Sequence, residues 1–423
     1  MSAIDDAVLA ELARAREEML DFLAAAVRLP SVTGEEGVAA PLFHDWFEAN
    51  GFEAETKPVP AALRDRYPAM AHEQDLERRP NVFGWWRGEG AGGAADGGAP
   101  LVLNGHIDVV PANEPERWRH DPWGGVRADG RVWGRGSADM KGGIVAAMFA
   151  VRALRDAGAR LARDVQVQCV MAEETGGLGT LAALESEPRP AAAIVLEPTD
   201  CVVAPACGGI VQFTISVEGV AAHTAVSWAG VSAMEKLWHV YTALREAVRE
   251  RNERISHPLF DALPAKAPFG IGTFSAGEWR STIPAQAEMS GRVGVMPGES
   301  IAEVRMLIEQ IVARACEDDE WLREHPARVE WIHEGFPAWE TPGDDPLVRA
   351  FDDGFRAVAG AGGLGAVTYG SDAGHFARAG VPTLLFGPGR IYEAHMHDEH
   401  VEERQMEQAA RVVALSLLRY EGA

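Results

Sequence analysis

The sequence predicts an α/β protein in which a mostly parallel β-sheet carries helices on its faces and a smaller α+β domain is inserted. In the first half, short apolar strands alternate with helical stretches, as in Val165–Ala172 followed by Leu178–Leu184. Such alternation is typical of a parallel sheet with crossover helices. From about Val211 the strands alternate apolar with polar residues, which indicates a sheet with one solvated face. At 423 residues the chain also exceeds the size of one compact core.

The elements of the first domain follow in order along the chain. A helical period near the N-terminus ends at Pro30, and the Gly- and Ala-rich stretch Gly88–Gly98 is predicted to be a loop. A short apolar run, Leu101–Leu103, is predicted to be a buried strand, and Gly142–Ala157 a helix with one apolar side. The domain ends with the helix Glu402–Arg419.

Residues 212–330 are predicted to form the inserted domain. Its alternating strands are separated by a long helix from Val231 to about Glu253 and by a second helix, Ile301–Cys316. Two helices on one face of an antiparallel sheet give a ferredoxin-like α+β arrangement. The first domain therefore comprises residues 1–211 and 331–423.

Composition restricts the class of partner. The formal net charge of −24 argues against binding to nucleic acid or to anionic lipid. The four cysteines show no CxxC pair and no zinc-ribbon spacing, which favours a reducing compartment. No signal-peptide pattern begins the chain, and no apolar run reaches the ~20 residues of a membrane span. We expect a cytoplasmic protein that acts on a small molecule, without a nucleic-acid or membrane partner.

Five segments place His, Asp or Glu at the ends of predicted strands or before a helix. These residues are His106 and Asp108, Asp139, the pair Glu173 and Glu174, Glu197, and His395. Ligands of an open α/β sheet bind beyond the carboxyl ends of its strands. Any one segment alone would indicate a surface charge. Convergence of all five predicts a cation, because clustered carboxylates otherwise repel one another.

The ligand types favour a pair of divalent metal ions. Imidazole and carboxylate without thiolate suit zinc, and also cobalt or manganese. Two metals that share a bridging carboxylate can activate water and polarise a carbonyl oxygen. Asp108 stands two residues after His106, where it can accept the other ring N–H. Glu173 and Glu174 cannot both point the same way from a regular strand, so one can hold metal while the other takes a proton.

The motifs around these residues resemble the M20 metallopeptidase family, in its acetylornithine deacetylase / succinyl-diaminopimelate desuccinylase branch. They occur in the family's order over nearly the whole chain. The matching segments are Gly105–Pro111, Gly134–Gly143, Glu173–Gly176, Leu196–Thr199, Gly219–Thr224, Gly387–Gly389 and Ala394–Glu399. The resemblance implies metal-dependent hydrolysis of an amide bond in a small N-acylated amino acid or related amine.

The resemblance implies two divalent metal ions, zinc first, with cobalt or manganese as alternatives. His106, Asp139 and Glu197 would hold one ion. Asp139, Glu174 and His395 would hold the other, so that Asp139 bridges the two.

Further roles are implied by the same resemblance. Glu173 would be the general base and then the proton donor to the leaving amine, while Asp108 would orient His106. The inserted domain would serve as a dimerisation or lid domain of a homodimer, from which His223 reaches the partner's site to stabilise the oxyanion. A second histidine in the ligand loop, His397, remains the less favoured alternative to His395.

Three features of the sequence bear on the substrate class. Arg292 is similar to the family's substrate-carboxylate arginine, and the turn from Gly387 to Gly389 would offer backbone N–H groups. The inserted domain departs from the family pattern, with Ala276-Gly277 and then Ser281–Pro284 where Gly-Gly and an Asn before Val-Pro are usual. A dipeptidase or carboxypeptidase and an N-formyl-aminopyrimidine deformylase are therefore alternatives. A non-catalytic metal-binding relative is disfavoured, because the base and all five ligands are present.

Overall fold

The computed structural model describes residues 2–67, 76–88, 98–332 and 335–421, so most of the predicted loop at 88–98 lies outside the described residues. The helices are α1 (Ala3–Arg14), α2 (Arg16–Val27), α3 (Ala40–Ala49), α4 (Ala62–Arg66), α5 (Gly142–Asp156), α6 (Leu178–Ser186), α7 (Ala233–Arg254), α8 (Ile301–Glu317), α9 (Glu320–Glu324), α10 (Pro346–Ala359), α11 (Ala373–Arg378) and α12 (Glu403–Glu421). Among the described residues, no helix combines the length and the apolar character needed to cross a membrane.

The described residues form eighteen strands. They are β1 (Glu53–Lys57), β2 (Asn81–Trp86), β3 (Leu101–His106), β4 (Val126–Ala128), β5 (Arg131–Trp133), β6 (Val165–Val170), β7 (Ala192–Val195), β8 (Val203–Cys207), β9 (Gly209–Glu218), β10 (Ala222–His223), β11 (Phe269–Ala276), β12 (Thr282–Ile283), β13 (Gln286–Val295), β14 (Arg328–Trp331), β15 (Trp339–Glu340), β16 (Leu364–Val367), β17 (Thr383–Leu385) and β18 (His400–Glu402).

The chain folds into two compact units. The first comprises Met1–Pro205, Thr341–Gly365 and Ser371–Ala423, and the second comprises Ala206–Glu340 and Ala366–Gly370. The boundaries predicted at 211/212 and 330/331 instead fall inside β9 and β14. A hydrogen-bonded strand belongs to its sheet as a whole, so the change of unit falls before β9 and after β14. The alternation of apolar and polar residues locates the middle of a strand more accurately than it locates the first residue of that strand.

The first unit is built on a sheet with the strand order β1-β2-β6-β3-β7-β17-β8. Its centre is parallel, because β3 pairs in parallel with β6 and β7, and β17 pairs in parallel with β7. Antiparallel strands flank this centre on both sides. The predicted α/β class is therefore confirmed, and the parallel strands direct their carboxyl ends to one edge.

Helix α5 is the central helix of this unit. Every residue from Gly142 to Leu154 is buried, so the helix is apolar over nearly its full circumference. Close approach to the sheet requires glycine near its start, because a Cβ on Gly143 would lie 2.0 Å from the Leu196 carbonyl oxygen. This packing fixes the start of α5 beside the residue before Glu197.

The second unit contains an antiparallel sheet with the order β11-β13-β9-β14. The chain order β9-α7-β11-β13-α8-β14 is the β-α-β-β-α-β arrangement of ferredoxin-like folds. Strand β9 buries alternate residues, among them Phe213, Ile215 and Val217. They pack with Leu237 of α7 and Ile308 of α8 in one core, which confirms the predicted α+β insertion.

Candidate metal centre

The six residues predicted to form the metal centre and its base all lie in the first unit. His106 is the last residue of β3, Glu173 begins a short 3₁₀ turn after β6, and Glu197 follows β7. Asp139 lies in the turn before α5, and His395 lies in the loop between β17 and β18. The central parallel strands therefore deliver three of these side chains to the same sheet edge.

The ligand atoms lie close together in two overlapping groups. Candidate ligand atoms of His106, Asp139 and Glu174 lie within 4.8 Å of one another, and so do those of His106, Glu173 and Glu197. The His106 Nε2 atom is 3.1 Å from Asp139 Oδ1. Glu173, the predicted base, thus lies next to the predicted ligands His106 and Glu197.

The ligand loop orients its two histidines differently. The His395 Nε2 atom lies 3.0 Å from Glu174 Oε2 and 3.4 Å from Asp139 Oδ2. The His397 Nε2 atom instead lies 3.7 Å from a carboxylate oxygen of Glu114. The structure therefore brings His395 to the acidic cluster and turns His397 towards a different carboxylate.

The cluster carries more negative charge than its histidines compensate. Burial raises the pKa of Glu173 and Glu197 well above the ordinary value and also raises that of Glu174, and neighbouring carboxylates add to each shift. Burial opposes ionisation of Asp139 too, but hydrogen bonds from His106 and His395 lower the pKa of Asp139. Hydrogen bonds to Asp139 and Glu174 raise the pKa of His395 to about 10. Four carboxylates, of which Asp139 and Glu197 are buried, lie beside two imidazoles and form the donor set that divalent cations need.

Asp108 supports the centre in a way that spacing did not predict. The His106 Nδ1–H donates to the main-chain carbonyl of Asp108 at 2.8 Å, whereas the Asp108 carboxylate is 3.5 Å from that nitrogen. The carboxylate accepts the N–H groups of Glu173 (3.1 Å) and Glu174 (3.2 Å) and the hydroxyl of Thr33 (3.0 Å). Asp108 therefore orients the imidazole through its main chain, and its side chain holds the loop that carries the base.

Sequence reasoning missed the role of Glu399, which is fully buried. Its carboxylate accepts the N–H groups of Gly136 (2.8 Å), Ala138 (3.1 Å) and Asp139 (3.2 Å), and the Arg135 guanidinium pairs with it. Burial raises the pKa of Glu399 to about 7. The residue fixes the turn that presents Asp139, and its position next to Asp398 in the ligand loop was the available signal.

The predicted backbone donors of the Gly387–Gly389 turn need a correction. The Gly387 N–H donates to Thr199 Oγ1 and the Gly389 N–H to Gln405 Oε1, each at 3.1 Å. Both groups therefore have acceptors within the first unit. Glycine is required at 387 for packing, because a Cβ there would lie 2.5 Å from the Glu197 carbonyl oxygen.

Two predicted residues belong to the second unit. His223 is exposed at the end of β10, and its Nδ1 accepts the Ala225 N–H at 3.1 Å. Arg292 is half-buried in β13, where its Nη2 donates to the Thr368 carbonyl at 2.9 Å. Its buried Nε has no hydrogen-bond partner among the described residues, and burial lowers the pKa of this guanidinium. The roles of both residues toward the metal centre stay predictions.

The fold and the clustered ligands define a metal-dependent amidohydrolase. The family model "Peptidase family M20/M25/M40" matches residues 102–419, and the chain belongs to this family. The finer assignment to the deacetylase and desuccinylase branch stays a prediction.

Two curated relatives are N-formyl-4-amino-5-aminomethyl-2-methylpyrimidine deformylases. The one from Bacillus subtilis is 28% identical over 353 residues, covering 79% of this chain and 81% of that protein. The one from Halalkalibacterium halodurans is 29% identical over 332 residues, covering 74% and 77%.

Solved structures share the fold at lower sequence identity. The di-peptidase Dug1p from Saccharomyces cerevisiae has a TM-score of 0.73 at 17% identity and covers 100% of both chains. The YXEP protein of Bacillus subtilis, described as a dinuclear metal binding peptidase, has a TM-score of 0.63 at 15% identity and covers 96% of this chain and 98% of that one.

Proposed function

We propose that the chain uses two divalent metal ions to hydrolyse the amide bond of a small N-acylated amine, and that the acyl group is formyl. The observation that carries the proposal is the convergence of imidazole and carboxylate atoms within 4.8 Å at the sheet edge. The formyl group is supported by the two curated relatives, whose names specify deformylation of an aminopyrimidine.

The ligands divide into two sets that share Asp139. His106, Asp139 and Glu197 would hold one ion, and Asp139, Glu174 and His395 the other. The ions would supply Lewis acidity at the acyl carbonyl and a lowered pKa of bound water. Zinc suits this donor set best, with cobalt or manganese as alternatives.

Glu173 is the proposed proton carrier. Candidate ligand atoms of Glu173, His106 and Glu197 lie within 4.8 Å of one another, so the Glu173 carboxylate can reach a water held at the centre. The carboxylate takes a proton from the attacking water and delivers it to the nitrogen of the departing amine. Asp108 holds the Glu173 N–H at 3.1 Å, so the base keeps a fixed direction.

Arg292 favours a second candidate substrate class. Its guanidinium has no carboxylate partner among the described residues and leaves a buried Nε–H without an acceptor. An arginine in this state suits an anionic group of a ligand. A substrate with a free carboxylate, such as a dipeptide or an N-acyl amino acid, would supply that group, as in the deacetylase and desuccinylase branch.

Rates on three amides distinguish these candidates. The test measures kcat/KM for N-formyl-4-amino-5-aminomethyl-2-methylpyrimidine, an N-acetyl amino acid and a dipeptide, each with added zinc, cobalt or manganese. We expect the formyl amide to exceed the others by more than about tenfold, or 1.4 kcal/mol of transition-state stabilisation. A dipeptide or an N-acetyl amino acid that reacts faster contradicts the formyl assignment. In that case Arg292→Met should slow only the substrates with a free carboxylate.

A further inference from the structure

The loop that carries Glu173 is held mainly by side chains from other segments. Between β6 and α6 the main chain has positive φ at Ala172 (59°), Gly176 (119°) and Gly177 (83°). Its internal hydrogen bonds run from Gly176 N to the Glu173 carbonyl and from Gly177 N to the Ala172 carbonyl, each at 2.8 Å. The N–H groups at the start of the loop therefore depend on acceptors from elsewhere.

Two buried carboxylates accept three consecutive N–H groups of this loop. The Ala172 N–H donates to Glu36 Oε1 at 3.2 Å. The Glu173 and Glu174 N–H groups donate to the two oxygens of Asp108 at 3.1 and 3.2 Å. Glu36 and Asp108 are both fully buried, so two carboxyl groups share one low-dielectric region beside the loop.

Arg79 supplies the positive charge that this arrangement needs. The residue is 1% exposed, and its Nε and Nη2 each lie 2.5 Å from a different Glu36 oxygen. Such a two-point contact fixes the plane of the carboxylate and also balances its negative charge. Leu76, three residues before Arg79, also packs on the loop, because it shares an apolar cluster with Met171 and Ala172.

We propose that the Arg79–Glu36 ion pair is a positioning pair for the reaction, which fixes the Ala172 N–H and thereby the direction of the Glu173 and Glu174 side chains. The proposal rests on the proposed function in one respect, namely that Glu173 carries the proton. The pair reaches the loop through the Ala172 main-chain N–H, which donates to Glu36. A base displaced by about 1 Å can lose roughly 100-fold in rate, so the pair affects turnover more than substrate binding.

The test compares Arg79→Met with Arg87→Met at the other end of β2. Arg87 is exposed and pairs with Glu53 and Asp164, so its removal takes away a surface ion pair beside the same strand. With saturating metal, we expect Arg79→Met to lower kcat by roughly 100-fold at unchanged KM. Arg87→Met should match the parent. Arg79→Lys, which keeps the charge but loses the planar fork, should fall between them.

A second readout needs no substrate. Hydrogen exchange measured by mass spectrometry should be faster by about tenfold or more in a peptide covering residues 171–176 of Arg79→Met, and unchanged there in Arg87→Met. If the parent hydrolyses no formyl amide, the proposed function fails, whereas the exchange result still tests the positioning pair. A folded Arg79→Met with parental exchange and, where activity exists, parental kcat overturns the proposal. The proposal is also overturned if the activity lost in Arg79→Met is fully explained by a smaller fraction of folded protein.

Should Arg79→Met fail to fold, a double variant keeps the proposal testable. Removing both charges in Glu36→Gln/Arg79→Met avoids an unpaired buried anion, and the amide oxygen of Gln can still accept the Ala172 N–H. We expect this variant to fold and to exchange faster than the parent at residues 171–176, because without the Arg79 fork the plane of the residue 36 side chain is no longer fixed. Parental exchange there in a folded double variant would overturn the positioning role of the pair.

Discussion

His395 and His397 stand two residues apart, and only His395 contacts the acidic cluster. We therefore expect His395→Ala to weaken binding of one metal ion by more than roughly 100-fold, since even supporting residues of metal ligands contribute 10- to 100-fold. His397→Ala is the matched control and should bind metal like the parent. Isothermal titration calorimetry with zinc measures the metal affinity of both variants. Equal losses in the two variants would show that the loop is oriented differently.

Glu173→Gln tests the proton carrier by a nearly isosteric change. We expect kcat to fall by roughly a thousandfold, within the range for general bases, while metal content stays at the parental level. Steady-state rates on the formyl amide and elemental analysis of the same sample provide the measurement. A variant that retains most of the parental kcat would remove Glu173 from the mechanism.

The sequence identified the residues that carry chemistry better than it identified their supports. His106, Asp139, Glu174, Glu197 and His395 could be predicted because their motifs follow strand ends, and the sheet brings strand ends together. Supporting contacts depend on side-chain directions across distant segments, which spacing does not encode. Asp108 was thus expected to bind the imidazole through its carboxylate, whereas that carboxylate accepts the two glutamate N–H groups.

Buried charges from remote segments were missed for the same reason. Arg79 looks like an ordinary surface charge in the sequence, and only the ligand-loop motif marks Glu399, yet both are almost completely buried. Glu399 stabilises the site only because the fold brings it to a turn whose N–H groups need acceptors, and Arg79 only because the fold brings it to the buried Glu36 carboxylate. The Gly387 and Gly389 N–H groups show the converse, because acceptors from Thr199 and Gln405 already occupy them.

At the scale of elements, the close contact between α5 and the end of β7 can be tested at a glycine. Gly143→Ala places a Cβ 2.0 Å from the Leu196 carbonyl oxygen, so α5 must move away from the sheet. We expect the free energy of unfolding to fall by about 1–3 kcal/mol. Urea denaturation followed by circular dichroism measures it.

Gly374→Ala is the matched control for this change. Gly374 is also helical, and a Cβ there would meet no heavy atom within 4 Å. Its stability should equal or slightly exceed that of the parent. If Gly143→Ala were as stable as Gly374→Ala, the contact between α5 and the strand end would not limit the packing.

Element types were predictable where the apolar period is long, and element ends were less so. Helix α8 was expected at Ile301–Cys316 and ends one residue later, at Glu317. Its position could be predicted because a capping serine and a sustained 3.6-residue period define it. The flanking antiparallel strands of the first unit were not predicted. A fully buried strand has no alternation that reveals the direction of its neighbour.

At the scale of the whole molecule, we propose a homodimer in which His223 of one protomer completes the site of the other. His223 and Glu173 would then act in the same site from different chains. Mixing inactive His223→Ala with inactive Glu173→Gln should restore about a quarter of the parental activity, because half of randomly reassociated dimers contain one intact site. Activity is measured after subunit exchange, and analytical ultracentrifugation shows whether the protein is a dimer. Mixtures as inactive as either variant alone, despite exchange, would contradict shared sites.

We propose that the acidic cluster binds two metal ions joined by Asp139. Elemental analysis of protein dialysed against zinc tests it directly, with Asp139→Ala beside the parent. We expect about two zinc ions per parental chain and a loss of both in the variant, because a bridging carboxylate serves each ion. A parental chain with fewer than one ion, or an Asp139→Ala chain that keeps two, would contradict it.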